Sequence, residues 1–477
     1  MFGMDFSTGF GGSEWIWALG IFVLVVLPGL FTLILKSNTF AIGIILTTAF
    51  TRVLFHFAGM PRLVPVLITE FCVLLLLAKA LYLRLFVKMM PLRVVGFYPM
   101  AGILGITLIS FVLNASEMLP AVFFVRQIFV FYLFFIALLN LDLSQKTVMR
   151  INRYIIFLFL IQLPAAATKY LVMGQDELWS GTVSWQAGQF STTLPLFAIA
   201  FLLSFYLFRR KKVYILLVVA FVFFGLAGQK RAVPILLPSL ALLLWFLYWR
   251  GAPRGRKRIF SISKLKTLAL MLTVAFVALF SYASISRDEM YMHGLNLGKL
   301  YEYTVWYNTR DEIAMYGTDD DDLAMGRITI TRISLDHLKR GGLVRQMVGF
   351  GPGAMISSPH LGREDIAFRR FGIRGALTGF VIFMLQSGMV GVILLTFFFL
   401  RIFAKAYRVY KGSDDTDFRM VALGLMGATY VFLLDFFIYS PSSLFFGVLT
   451  PVYFYIATIV LNRGYRNYRL FGKGRPS

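Results

Sequence analysis

Apolar segments of about 20 residues, each long enough to cross a bilayer as a helix, recur along almost the whole chain. This pattern predicts an all-α polytopic integral membrane protein. A β-barrel is disfavoured, because barrel strands alternate in polarity over about 10 residues, whereas segments such as 122–141 are long apolar runs. We predict about thirteen spans, within a range of twelve to fourteen, at 15–35, 39–57, 63–83, 94–113, 118–141, 154–173, 190–208, 213–229, 232–249, 267–286, 376–400, 418–438 and 443–461.

The connectors between these spans differ in charge on the two sides of the predicted membrane. The Lys- and Arg-rich segments 209–212, 250–266, 401–411 and 463–475 all fall on one side. Cytoplasmic loops carry such an excess of positive residues. The organisation is therefore ten transmembrane helices in 1–286, one large outer loop in 287–375, and three further helices with a basic cytoplasmic tail in 376–477.

The chain is 58% hydrophobic and has a formal net charge of +24. Positive cytoplasmic loops and anionic lipid headgroups explain such a charge, and so does a polyanionic or pyrophosphate substrate. Nucleic-acid binding is disfavoured, because the charges are spread over short loops without a recognition motif. Cys72 is the single cysteine, which rules out an intrachain disulfide or a cysteine-based metal site.

The large outer loop has an acidic first part and a basic second part. Asp319 to Asp322 offer the hard oxygen ligands that divalent cations prefer, but the run lacks an EF-hand spacing and is interpreted as a solvated loop with a helix N-cap. Apolar residues from Ala324 to Leu338 then follow helical spacing, and Gly341-Gly342 would end the helix. A short strand is the alternative, since Ile328 and Ile330 alternate with threonines; we favour an amphipathic helix over the outer mouth of the bundle.

Ionisable residues within the spans cost about 2.5 to 3.5 kcal/mol each to insert, and most of them fall in the outer half of the predicted membrane. Snorkelling and ion pairing, for instance of Glu70 with Arg126, would account for them individually. Their shared depth instead favours a cationic cavity that opens outward and takes a lipid with an anionic headgroup. The residues at this level are Arg52, His56, Glu70, Arg126, Lys169, Lys230, Arg231, Arg374 and Asp435.

Three stretches combine glycines and arginines with apolar runs: GLAGQKRAVPILLPSLALLLWFL, AMGRITITRISLDHLKRGGLVRQMVGFGPGAM and LQSGMVGVILLTFFFL. They resemble segments of bacterial O-antigen ligases and Wzy-type polysaccharide polymerases. The first is similar to the family's helix opening with a glycine, a polar residue and an arginine. The second resembles its periplasmic Gly-Arg, helix, Gly-x-Gly-x-Gly stretch, and the third resembles the Gly-x-x-Gly helix that follows. The resemblance covers about residues 220–400 and implies a GT-C-like fold with one large periplasmic loop.

This resemblance implies a glycosyltransferase that polymerises O-antigen or exopolysaccharide from undecaprenyl-pyrophosphate-linked repeat units, at the periplasmic face of the bacterial inner membrane. An O-antigen-type ligase is a close variant, and a non-catalytic transporter of lipid-linked glycans is the alternative from another class. No cofactor or metal is implied. Membrane lipids are partners, and a chain-length regulator and a flippase of the same pathway are candidate partners.

The resemblance also assigns residues. Arg231 and Arg327 match the family's paired arginines and are expected to bind the pyrophosphate, and the turn with Gly351 and Gly353 would approach a phosphate or sugar. The family's histidine, about eleven residues before the Gly-x-x-Gly of Gly388 and Gly391, is replaced here by Leu377. His360, Asp435 and Glu70 remain candidates for the general base that deprotonates the incoming hydroxyl.

Overall fold

The computed structural model describes residues 20, 23, 26–52, 63–173, 181–183, 190–227, 232–251, 305, 308–309, 325–356, 366–375, 377–440, 447–462, 465 and 470. Every regular element in these residues is helical, and the extended pairing among them is an isolated bridge between Met325 and Gly375. The described part of the chain is therefore all-α, as predicted.

The first half of the described chain forms ten helices and one π-helical turn. Two of the connections between these helices are single residues: Ser37 separates the first two helices, and Ile161 separates the sixth and seventh. The helices are α1 Leu27–Lys36, α2 Asn38–Phe50, α3 Leu63–Leu81 with the π-turn Tyr82–Val87, α4 Phe97–Leu113, α5 Met118–Asn140, α6 Gln145–Leu160, α7 Gln162–Met173, α8 Phe190–Arg209, α9 Lys212–Ala227 and α10 Ala232–Arg250.

The second half begins with short helices in the region of the predicted outer loop and returns to long apolar ones. These helices are α11 Arg327–Arg340, α12 Gly342–Val348, α13 Ile366–Phe371, α14 Gly379–Gly412, α15 Thr416–Leu434 with the π-turn Asp435–Tyr439, and α16 Thr450–Leu461.

Six stretches in the described part of the chain are long and apolar enough to cross a membrane: Val64–Val87, Met118–Asn140, Gln145–Val172, Phe190–Arg209, Gly379–Gly412 and Thr416–Tyr439. Shorter apolar helices cover Leu27–Lys36, Asn38–Phe50, Phe97–Leu113, Lys212–Leu226, Leu236–Arg250 and Thr450–Leu461. Several spanning helices in one chain are typical of a multi-pass membrane protein. The predicted span 267–286 lies outside the described residues, and the count of thirteen is not confirmed.

Helix α8 lies at the centre of the bundle, where it packs against α9, α10 and α15. Small residues permit this close packing, because a Cβ on Gly427 of α15 would approach the Cβ of Ala200 to 3.0 Å. Aromatic rings fill the space between helices, as where Phe432 of α15 stacks on Tyr453 of α16 with ring centroids 4.7 Å apart. The functional groups described below lie at one end of this core.

Contacts between connectors agree with the alternating topology predicted from the charges. On the basic side, the Arg209 guanidinium contacts the Asp417 carboxylate at 2.6 Å, and Arg419 donates to the carbonyl of Gly251 at 2.8 Å. At the opposite end, Asn114 Nδ2 donates to the carbonyl of Gly349 at 3.2 Å. Each contact joins segments assigned to the same side, and we call the end that contains Asn114 and Gly349 the outer end.

The predicted amphipathic helix of the outer loop is confirmed as α11, and the alternative of a strand at this position is not. Ile330, Ser334 and Leu338 form its buried face. The expectation that the glycine pair ends the helical region is only half right, because the chain turns at Gly342, with φ +81°, and continues as α12. Both helices pack against α14.

Helix α14 is interrupted at Gly388, which has φ +68° and ψ −176°. Its 34 residues would extend about 50 Å at 1.5 Å per residue, well beyond a hydrocarbon core of about 30 Å. The sequence predicted one uninterrupted helix over the Gly-x-x-Gly motif. The interruption frees the Leu385 carbonyl from its helical partner, and Phe350 N–H donates to that carbonyl at 2.7 Å.

Candidate functional site

Arg327 is the first residue of α11, and its side chain is held against the end of another helix. Its Nε donates to the carbonyl of Tyr439 at 3.1 Å. The guanidinium carbon also lies 5.0 Å from the centroid of the Tyr439 ring, a distance at which a cation is attracted to an aromatic face. Arg327 is half-buried, so this cation is fixed at the outer end of the bundle.

Asp435 begins the π-helical turn that ends in Tyr439, and its side chain is only 2% exposed. Ser440 stabilises it, because the Ser440 hydroxyl donates to Asp435 Oδ1 at 2.9 Å and the Ser440 amide to the Asp435 carbonyl at 2.8 Å. π-helical turns occur frequently at functional sites. The five-residue turn thus connects two predicted site residues: it begins with Asp435, and its last residue, Tyr439, binds Arg327.

Arg374 lies beside the start of α11. Its carbonyl accepts the Met325 N–H at 2.9 Å, and Gly375, with φ +129°, makes the bridge to Met325. The Arg374 guanidinium carbon is 3.8 Å from the centroid of the Phe368 ring. These contacts connect the segment before α14 to the residues that precede Arg327, which is itself bound at the turn that contains Asp435.

The predicted glycine turn is buried and seated in the break of α14. Gly349, Gly351 and Gly353 have φ of +79°, +103° and +82°, which glycine adopts most readily. A Cβ on Gly349 would lie 2.7 Å from the amide nitrogen of Gly388. The Gly353 N–H donates to Gln386 Oε1 at 2.8 Å. These contacts account for the glycines through packing alone, and substrate binding by Gly351 and Gly353 stays a prediction.

Glu70 and Arg126 form an ion pair between α3 and α5, in which Arg126 Nε donates to Glu70 Oε1. The exposed fractions of the two side chains are 26% for Arg126 and 20% for Glu70. Phe124, two residues before Arg126, faces α14 instead and contacts the Phe383 ring at 5.7 Å. Arg126 is therefore directed to α3.

The ion pair leads to a first prediction. Arg126→Ala or Glu70→Ala alone should destabilise the protein, because each leaves an unbalanced charge in an apolar bundle. The double variant should be less destabilised than the sum of the two, with a coupling of about 1 to 2 kcal/mol. Thermal unfolding of the purified proteins in detergent measures this coupling, and the exchanged pair Glu70→Arg with Arg126→Glu is the control. Strict additivity of the single variants would contradict a structural pair.

Arg52 follows the end of α2 and is half-buried. The neighbouring carbonyl of Phe50 accepts a hydrogen bond from Thr182 Oγ1 at 2.7 Å, which places Arg52 next to the outer connector between α7 and α8. His56, Lys230, Arg231 and His360 lie outside the described residues, and so does the acidic run 319–322. The pairing of Arg231 with Arg327 stays a prediction.

No protein-family model matches this chain, and no curated protein matches it in sequence. The site must therefore be interpreted from its own geometry.

The described site combines the guanidinium of Arg327, at the start of α11, with the buried carboxylate of Asp435, on the π-turn that follows α15 and binds Arg327. A guanidinium is suited to phosphate oxygens through its planar donors, and a carboxylate can accept a proton from a hydroxyl. No group of three or more His, Cys, Asp or Glu side chains in the described part of the chain is placed to hold a metal ion.

Sequence reasoning missed Tyr439, Gln386 and Asn114, each of which fixes a predicted residue or turn. Tyr439 binds Arg327, Gln386 accepts the Gly353 amide, and Asn114 donates to Gly349. A polar residue within an apolar span was the available signal for Gln386. Tyr439 carried no such signal, because tyrosine is common at the ends of membrane helices.

Proposed function

We propose that this protein is a bacterial polysaccharide polymerase that joins undecaprenyl-pyrophosphate-linked repeat units of O-antigen or exopolysaccharide at the periplasmic face of the inner membrane. The observation that carries the proposal is the contact of Arg327 with Tyr439, at the end of the turn that begins with the buried Asp435. The order of the resembling motifs along residues 220–400 supports it.

The reaction needs few groups. A base removes the proton from a hydroxyl of one glycan, and that oxygen bonds to the anomeric carbon of another glycan. The bond between the anomeric carbon and the lipid pyrophosphate breaks, and its electron pair leaves on the pyrophosphate oxygen. Fixed guanidinium donors stabilise this developing charge. We assign that role to Arg327, with Arg231 as its predicted partner and Arg374 as a neighbouring cation.

Asp435 is the carboxylate that we propose as the base. Glu70 is engaged by Arg126, and His360 lies outside the described residues. Asp435 shares its turn with the residue that binds Arg327, so one element would position the groups that act on the nucleophile and on the leaving group. A ligase that transfers the glycan to another acceptor would use the same groups and is a close variant.

One observation favours a transporter as the second candidate. Transporters of lipid-linked glycans are expected to use discontinuous membrane helices, and α14 is interrupted at Gly388. The turn seated in this interruption, however, satisfies the freed Leu385 carbonyl from within the protein. The interruption therefore has a structural explanation, and polymerisation remains the better-supported function.

Purified full-length protein, reconstituted in vesicles with only the lipid-linked repeat unit, tests the proposal. We expect a ladder of glycans that lengthens by one repeat unit at a time, without nucleotide sugar, because the lipid pyrophosphate itself is the leaving group. Gel separation of the released glycans measures the ladder, and heat-inactivated protein is the control. Transfer of the lipid across the vesicle membrane without chain growth would instead identify a transporter.

A further inference from the structure

Three consecutive hydroxyl side chains lie in the first turn of the central helix α8. Ser191, Thr192 and Thr193 are 0%, 1% and 1% exposed. None of their hydroxyl oxygens has a hydrogen-bond partner within the described part of the protein. Buried polar groups almost always have a partner, and leaving one without a partner costs free energy. Three in succession therefore require an explanation.

Several buried hydroxyls elsewhere in the described helices are satisfied by the carbonyl four residues earlier. Thr107 donates to Ile103, Thr429 to Leu425 and Thr458 to Phe454, at 2.7 to 2.9 Å. Ser191, Thr192 and Thr193 lie in the first turn, and α8 begins at Phe190. Residues four positions earlier precede α8, so the helix itself does not supply the usual carbonyl.

The hydroxyls and the backbone amides in the first turn of α8 are both directed toward the N-terminal end of the helix. Helical side chains tilt toward the N-terminus of their helix, and the first N–H groups of a helix have no acceptor within it. The helix dipole adds a partial positive charge at this end, which favours an anion over a cation. Hydroxyls and amides together therefore form a set of donors that suits a phosphate group.

The packing of α8 on α15 places these hydroxyls near the site already described. Ser204 Oγ donates to the carbonyl of Met420 at 2.5 Å, and further outward the rings of Phe197 and Phe432 are 5.9 Å apart. The two helices run antiparallel. The hydroxyls lie about one and a half turns of α8 further outward than Phe197. This places them at the level of the turn Asp435–Tyr439, where Arg327 is bound.

We infer that the first turn of α8 binds a phosphate group through the hydroxyls of Ser191, Thr192 and Thr193 and the adjacent backbone amides. Because the hydroxyls are shielded from solvent, binding requires the outer end to open, and contacts made there are strengthened by the low dielectric constant. Assignment to the pyrophosphate of a lipid-linked glycan rests on the proposed function, whereas phosphate binding itself does not.

Binding measurements on full-length protein in phosphatidylcholine nanodiscs test this inference. The probes are inorganic pyrophosphate and undecaprenyl phosphate, titrated at constant ionic strength. In the triple variant Ser191→Ala, Thr192→Val, Thr193→Val, we expect the affinity to fall at least about tenfold, since each hydroxyl contributes a hydrogen bond to a charged group. Loss for both probes identifies phosphate itself as the ligand, and loss for undecaprenyl phosphate alone identifies a lipid phosphate. Either result supports the site.

Matched variants separate binding from folding. Thr458→Val removes a buried hydroxyl that is already paired and should bind both probes like the wild type, as should Thr192→Ser with Thr193→Ser, which keeps the hydroxyls. If the triple variant does not fold, Thr192→Val and Thr193→Val are measured singly. Wild-type affinity in the folded variants, or no binding of either probe by the wild type, would overturn the site. Phosphate binding that depends on the hydroxyls, without chain growth, would overturn the proposed function alone.

Discussion

Replacing Arg327 with alanine should lower the rate of chain growth at least about 100-fold, because removal of one donor that stabilises developing negative charge typically costs a factor of 10² to 10³. Single repeat units should accumulate on lipid. Arg327 is fixed by Tyr439 at the end of the turn that contains Asp435, and the turn itself, residues 435–439, contains no cation to replace it. Initial rates in the vesicle assay measure the effect.

Two variants make this result specific. Arg327→Lys keeps the charge but loses the planar donors, and should fall between alanine and the wild type. Arg332→Ala removes an exposed cation from the same helix and should stay within about twofold of the wild type, as surface substitutions usually do. Size-exclusion profiles show whether each variant is folded. Equal loss of chain growth in Arg327→Ala and Arg332→Ala would remove Arg327 from the site and leave only a general effect of charge.

Gly388→Ala should destabilise the protein by about 3 kcal/mol. Gly388 has φ +68° and ψ −176°, a conformation that residues other than glycine reach only at a cost of order 1 to 3 kcal/mol. A Cβ there would also collide with the carbonyl of Met347, and such overpacking costs about 1 to 3 kcal/mol more. The midpoint of thermal unfolding in detergent should fall.

Gly105→Ala is the matched control for this prediction. Gly105 lies within α4 and has open space where a Cβ would be added. Alanine there should be neutral or stabilise the protein by about 0.5 to 1 kcal/mol, because glycine is unfavourable within a helix. A Gly388→Ala protein as stable as the wild type would mean that α14 straightens without loss and that the interruption is not required.

The sequence predicted those features that depend on local pattern. Apolar periodicity located α11 within the outer loop, and the depth of Glu70 and Arg126 within their spans suggested the ion pair that α3 and α5 form. These predictions succeeded because helical spacing and burial of charge are constraints that act over a few residues or within one membrane level.

The features that sequence reasoning missed depend on segments distant in the chain. The interruption at Gly388 is stable only because residues 347–350 fill it. The apolar pattern continues through the Gly-x-x-Gly motif of Gly388 and Gly391 and does not indicate that the helix is interrupted there. The π-turn Asp435–Tyr439 also depends on tertiary packing. Its last residue, Tyr439, binds Arg327, which lies 112 residues earlier in the chain. The motif glycines indicated an unusual backbone, but not which element they would meet.

The seating of the glycine turn in α14 also constrains the order of biosynthesis. Residues 349–353 are synthesised before α14, yet the Leu385 carbonyl and the Gln386 side chain that bind them belong to α14. The outer segment therefore cannot complete its fold until the following helix has been made and inserted. That helix in turn needs the segment to satisfy its interrupted backbone, because an unpaired carbonyl is costly within a membrane. The two regions mature as one unit, and neither is a separable domain.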